Sequence, residues 1–130
     1  MLYNLQNVIF YKCYYRLIRE QGGVVILDEV QSGLGRAGNN MWFFMDYGLT
    51  PDIVTMGKGL GNGYPLAAVV CSKDVSDKMK HGYFSTFGGS PVACAIGLSV
   101  LEVIRNEKLM SSANMVGKHF LRSLNEIKEK

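Results

Sequence analysis

The chain has 130 residues, enough for one domain at about 100–200 residues per domain. Its 14 Lys+Arg against 11 Asp+Glu leave a net charge of +3 with no long basic run, so nucleic acid is not the expected partner. With 48% hydrophobic and 19% charged residues, the chain is too apolar to be disordered, and more apolar than a free-standing domain this small should be. No apolar run reaches the ~18–20 residues that a membrane span needs, so no membrane is expected. The start, MLYNLQNVIFYKCYYRL, lacks the basic region and small-residue cleavage site of a signal peptide, and is not Ser-rich like a transit peptide. Cys13, Cys71 and Cys94 are odd in number and show no CxxC spacing, which reads as reduced thiols in an intracellular protein. His81 and His119 stand alone, outside any metal-ligand spacing, and read as ordinary side chains.

Phe10, Tyr14, Leu17 and Ile18 recur at helical spacing, and Gly22-Gly23 follows as a stop. Val24–Leu27 is a β-branched run without polar alternation, which predicts a strand buried on both faces, as in a parallel sheet. Residues 32–40 form a Gly-rich turn region, and Met41–Tyr47 predicts a short helix or packed loop. Trp42-Phe43-Phe44 reads as an aromatic stripe for core or interface packing, with substrate contact as the other reading. Ile53–Met56 and Ala67–Cys71 are two further strand-sized runs. Leu27 and Ile53 are separated by 25 residues, enough for a parallel crossover, whereas Lys58 and Ala67 are separated by only 8. A parallel return needs about a dozen or more, so the third strand should run antiparallel to the second. The expected architecture is α/β, with a mostly parallel sheet, one antiparallel strand and flanking helices. Asp74–Lys80 predicts a short helix, residues 82–91 a loop, and Val92–Arg105 a buried helix with small residues on part of its surface. Leu109, Ala113, Val116, Phe120, Leu124 and Ile127 then describe an amphipathic helix whose apolar face seeks a core.

Asp28 and Lys58 each follow a strand, and ligands of open α/β sheets bind beyond the carboxyl ends of parallel strands. Both therefore belong on one rim of the sheet. Lys58 lies in GKGLGNG, whose spacing is neither that of a Walker A loop nor that of a dinucleotide-binding turn. A lysine in a desolvated pocket there could serve as an amine nucleophile; a surface lysine on a glycine-rich turn is the competing reading. An acid on a neighbouring strand end favours the first, because pyridoxal phosphate enzymes need such a pair. The lysine forms a Schiff base, and the carboxylate keeps the pyridine nitrogen protonated. Asp28 alone could equally be a turn former. Glu29 reads as a solvent or subunit contact, and Thr86 alone as a loop-capping hydroxyl.

Three stretches, DEVQSGLGRAG, PDIVTMGKGLGNGYPLAAVV and YFSTFGGSPVACAIGLSVLEVI, resemble the class III pyridoxal-phosphate aminotransferases. The resemblance covers about residues 12–125 and is greatest to the mitochondrial alanine–glyoxylate branch, with the ethanolamine-phosphate phospholyase branch close. It implies fold type I and pyridoxal 5′-phosphate as cofactor. Lys58 would be the catalytic, cofactor-anchoring amine. Asp28 would pair with the ring nitrogen, and Gln31 would sit against the ring and reach its 3′ oxygen. Thr86 would bind the cofactor phosphate of the other subunit, with backbone access at Gly88-Gly89, because the family builds each site across a homodimer (a tetramer is possible). Arg36 has no assigned contact and stays structural or interfacial. The implied substrates are an amino acid such as alanine and a 2-oxo acid such as glyoxylate. The alternatives are a phospholyase-like lyase, or a catalytically incomplete interaction subunit. The implied location is mitochondrial, otherwise cytoplasmic.

The first ten residues match the family wording poorly. The family's upstream phosphate-binding turn and ring-stacking aromatic, and its downstream carboxylate-gripping arginine, have no counterpart in this chain. The resemblance thus implies that residues 1–130 form part of the cofactor-binding large domain, without its N-terminal segment or the small C-terminal domain.

Overall fold

The computed structural model describes residues 2–80 and 82–129, with side chains from residue 8 onward. Helix α1 spans Leu2–Glu20 and ends at the Gly22-Gly23 stop, with Gly22 in the left-handed region at φ 71°. Strand β1 is Ile26–Asp28, two residues later than the hydrophobic run predicts. The chain then runs through a looped segment and a 3-10 turn at Phe43–Tyr47 to β2, Ile53–Met56. A second 3-10 turn, Lys58–Leu60, leads to β3, Ala68–Cys71. Helix α2 is only Lys73–Ser76, shorter than Asp74–Lys80 and earlier. Two long helices follow, α3 at Pro91–Asn106 and α4 at Leu109–Lys128. Pro91 opens α3, where its missing N–H costs no helical hydrogen bond.

The sheet order is β1-β2-β3. β1 and β2 are parallel, with Asp28 opposite Thr55, and β2 and β3 are antiparallel, with Met56 opposite Ala68. The connection lengths thus give both strand directions correctly. β2 is central, and its Val54 and Met56 join Leu60 in the buried cluster. Leu34, Trp42, Phe44, Leu66, Ala68 and Leu101 pack against that cluster, so two of the three stripe aromatics are packing residues, while Phe43 is exposed and stacks edge-on with Tyr47.

The edges of the sheet depart from expectation. Val24 is 54% and Ile26 58% exposed, so β1 is not covered on both faces. A β-branched run records that a strand suits burial, but coverage needs a partner element, and the described residues supply none on that side. The same holds for α3. Gly97 allows it a close approach to the segment between β2 and β3, where a Cβ on Gly97 would lie 2.8 Å from the Leu66 side chain, yet Val92, Leu98 and Val103 face solvent. The apolar face of α4 is exposed along Leu109, Val116, Phe120, Leu124 and Ile127. The chain exposes 10355 Å² in all. A compact monomer of this mass exposes roughly 6,800 Å².

The end of the sheet away from Lys58 is closed by Asp52. Its carboxylate accepts the Val25 N–H at 2.8 Å and pairs with Arg19 of α1 at 2.7 Å. Arg19 also donates to the Tyr15 hydroxyl and the Thr50 carbonyl, and Tyr15 donates to the same carbonyl. All three cysteines are free. Among the described residues, no helix is long and apolar enough to cross a membrane, and no group of metal-ligating side chains forms. His81 lies outside the described residues, and His119 is exposed.

Candidate active site

The parallel pairing of β1 and β2 carries their carboxyl ends to one rim. Asp28 is the last residue of β1, and Lys58 lies two residues beyond β2. Asp28 is exposed but not loose. Its Oδ1 accepts the Val30 N–H at 3.0 Å and the Thr55 hydroxyl at 2.9 Å across the strand pair. The Val30 N–H foremost and then the Thr55 hydroxyl hold the Asp28 carboxyl below its ordinary range; desolvation opposes them, and the charge of Lys58 adds the smallest push downward. An ionised carboxylate is therefore kept beside a primary amine at the end of the sheet.

Lys58 is exposed rather than desolvated. Its backbone is the unusual feature. At φ 41° it occupies the left-handed region, which costs a residue with a Cβ about 1–2 kcal/mol. Such strain is retained where neighbouring structure fixes it, and it clusters at functional sites. The neighbours here are glycines. A Cβ on Gly61 would collide with the Tyr64 carbonyl oxygen, so the turn after Lys58 closes only with glycine there. Lys58 and Arg36 line a shallow depression of about 430 Å³ with Asn62 and Tyr64. A larger cavity of about 880 Å³ lies between the two glycine-rich loops and helices α3 and α4. None of Asp28, Gln31, Lys58 or Thr86 lines it.

Gln31 follows Asp28 by three residues, in the turn after β1, and is exposed. Thr86 is exposed in the 82–90 loop ahead of α3, where Ser85 caps the Gly88 N–H at 3.0 Å. The structure thus gathers Asp28, Gln31 and Lys58 at the ends of β1 and β2, and puts Thr86 on a separate loop with no hydrogen bond to them.

Glu29 overturns the expectation of a solvent or subunit contact. It is 4% exposed, and its carboxylate accepts the Ser32 hydroxyl at 2.6 Å and the Phe44 N–H at 2.8 Å. Ser32 is a local donor, but Phe44 is fifteen residues away, and no periodicity signals that contact.

Residues 3–130 match the class-III aminotransferase family. Over 114 residues the chain is 47% identical to the human protein named alanine–glyoxylate aminotransferase 2, mitochondrial, covering 86% of this chain and 22% of that protein. A phospholyase from Arthrobacter, solved in complex with phosphoethanolamine, superposes with a TM-score of 0.84 at 42% identity, over 89% of this chain and 28% of that one. An ornithine aminotransferase from Toxoplasma gondii, whose structure shows partial occupancy of PLP at its active site, also gives 0.84, at 37% identity, over 90% of this chain and 28% of its own. The chain thus spans between a fifth and a third of the length of these relatives. It belongs to the class-III aminotransferase family.

Proposed function

We propose that the chain is part of the cofactor-binding large domain of a pyridoxal-phosphate transaminase, with Lys58 as the anchoring and proton-carrying amine. The observation that carries this is the placing of Asp28 and Lys58 on one rim, at the carboxyl ends of adjacent parallel strands, with the Asp28 carboxyl held below its ordinary range. That donor set fits pyridoxal phosphate. The cofactor has an aldehyde for an amine and a ring nitrogen that an anion keeps protonated; when bound, it supplies an electron sink for the substrate Cα.

The protein's own residues do the rest. Lys58 Nζ would anchor the cofactor through its aldehyde carbon and, once the substrate amine has replaced it there, would carry the proton from the substrate Cα to that same carbon. The strained backbone at Lys58 fixes where that amine starts. Asp28, braced by Val30 and Thr55, would present its other oxygen to the ring nitrogen. Gln31 would lie against the ring and donate to its 3′ oxygen. Thr86 would hold the phosphate of the cofactor in a second subunit, so that the complete site would form in a homodimer. Its place on an exposed loop, unbonded to the other three, supports that assignment.

The amino donor is an amino acid such as alanine, and the acceptor a 2-oxo acid such as glyoxylate, as the name of the human relative supports. The same name supports a mitochondrial location. A lyase reading has its own observation, the likeness to a phospholyase bound to phosphoethanolamine. Incubating the complete protein with pyridoxal phosphate and each substrate set separates the two. The transaminase reading expects pyruvate and glycine from alanine and glyoxylate. Inorganic phosphate from phosphoethanolamine, without pyruvate in the first reaction, overturns it in favour of the lyase.

A further inference from the structure

A carboxylate with little access to water is costly unless donors satisfy it. Glu29 is such a group. It is 4% exposed and has no cation partner among the described residues. Its two oxygens are instead divided between Ser32, in the loop that carries Gln31, and the Phe44 N–H, in the 3-10 turn. Its own backbone is fixed as well. The Glu29 N–H donates to the Thr55 carbonyl at 2.9 Å, and its carbonyl accepts the Gly33 N–H at 2.9 Å. A side chain at Gly33 has no room, since a Cβ there would lie 2.7 Å from the Trp42 ring and 2.8 Å from the Glu29 carbonyl oxygen. Glu29 is thus tied at four points to β2, to the 30–33 turn and to the 3-10 turn. It stands between Asp28 and Gln31, and both Asp28 partners belong to the same assembly: Val30 follows Glu29, and Thr55 also accepts its N–H.

We infer that Glu29 is a positioning residue whose buried carboxylate pins the 30–33 turn to the 3-10 turn and so orients Asp28 and Gln31 toward the cofactor. The inference rests on the proposed cofactor reading for its purpose, but the clamp itself is a property of this chain. Glutamine at position 29 can accept the Phe44 N–H through its carbonyl, and the Ser32 hydroxyl can turn to accept from its amide. Alanine can do neither.

The test uses the complete protein with Glu29→Ala, Glu29→Gln, Ser32→Ala and, as a destabilised control away from the rim, Ile104→Ala. Hydrogen exchange is read on the cofactor-free form at residues 30–33 and at Phe44. With pyridoxal phosphate added, Kd and the pH midpoint of the visible band of the bound cofactor are read. Glu29→Ala should speed exchange of these amides and weaken cofactor binding, each by about tenfold, the scale of a lost hydrogen bond to a charged group. It should also move the band midpoint. Glu29→Gln should restore all three readouts to within about threefold of wild type, and Ser32→Ala should fall between. Ile104→Ala should lower the melting temperature without moving the midpoint. Wild-type exchange, Kd and midpoint in Glu29→Ala, with a melting loss like that of Ile104→Ala, overturn the inference. A wild type that binds no pyridoxal phosphate defeats the cofactor reading instead, and the exchange measurement then still decides whether the clamp exists.

Discussion

The rim of the sheet and the long helices of this chain are built to different standards. At the rim, Asp28 has two hydrogen-bond donors, Glu29 has two more, and the turn after Lys58 is closed by a glycine that tolerates no side chain. Along α4, an apolar face as regular as any in the sequence meets water, with Phe120 60% exposed. The rim is organised by contacts the chain makes with itself. The apolar face of α4 is organised by sequence for contacts that the described residues do not make. Chemistry and packing surface are therefore separable here: the hydrogen bonds around Asp28 and Glu29 are made within the chain, while the apolar face of α4 is left open.

The largest effects are expected at the rim. Asp28→Asn removes the anion proposed to face the ring nitrogen while keeping its shape, and turnover of the complete protein should fall by roughly 100-fold or more, in line with the loss of one aimed electrostatic contact. Steady-state kinetics at saturating cofactor check this, and a variant within a few-fold of wild type leaves Asp28 as a turn former. Next in size is the core beneath the rim. Met56→Ala empties part of the cluster around β2 and should cost about 2–5 kcal/mol in denaturant unfolding.

A smaller effect concerns pH. The Asp28 carboxyl lies below its ordinary range, so its contribution is fully present above that range and lost as the pH falls through its lowered value. Thr55→Val deletes one of its two hydrogen bonds and should bring its protonation to a higher pH. Cofactor binding then begins to fail earlier on acidification, as absorbance titration of the two proteins will show. The smallest effect belongs to the helix face. In the 130-residue chain, Phe120→Ser should change stability by no more than about 0.5 kcal/mol and raise solubility. A loss as large as that of Met56→Ala means the face is covered in solution.

Much of this was readable in the order of residues. The connection of 25 residues from Leu27 to Ile53 permits a parallel pair, and the 8 residues from Lys58 to Ala67 force an antiparallel one, which together put Asp28 and Lys58 on one rim. The steps of three and four from Leu109 to Ile127 give α4 its limits almost to the residue. What escaped were properties that depend on distant segments. Glu29 is buried by a backbone N–H fifteen residues on, and Asp52 is paired with an arginine on another element. The exposure of Val24 and Ile26 escaped for a related reason, since an apolar run states what a strand can tolerate on its faces and not what covers them.

The central claim is that Lys58 is the amine that holds pyridoxal phosphate. Reduction of the loaded complete protein with borohydride, followed by peptide mass analysis, tests it most directly. The account predicts a pyridoxyl group on the peptide containing Lys58, and its loss together with the visible absorbance in Lys58→Ala. A pyridoxyl group on another lysine, or an absorbance band that survives Lys58→Ala, would contradict it.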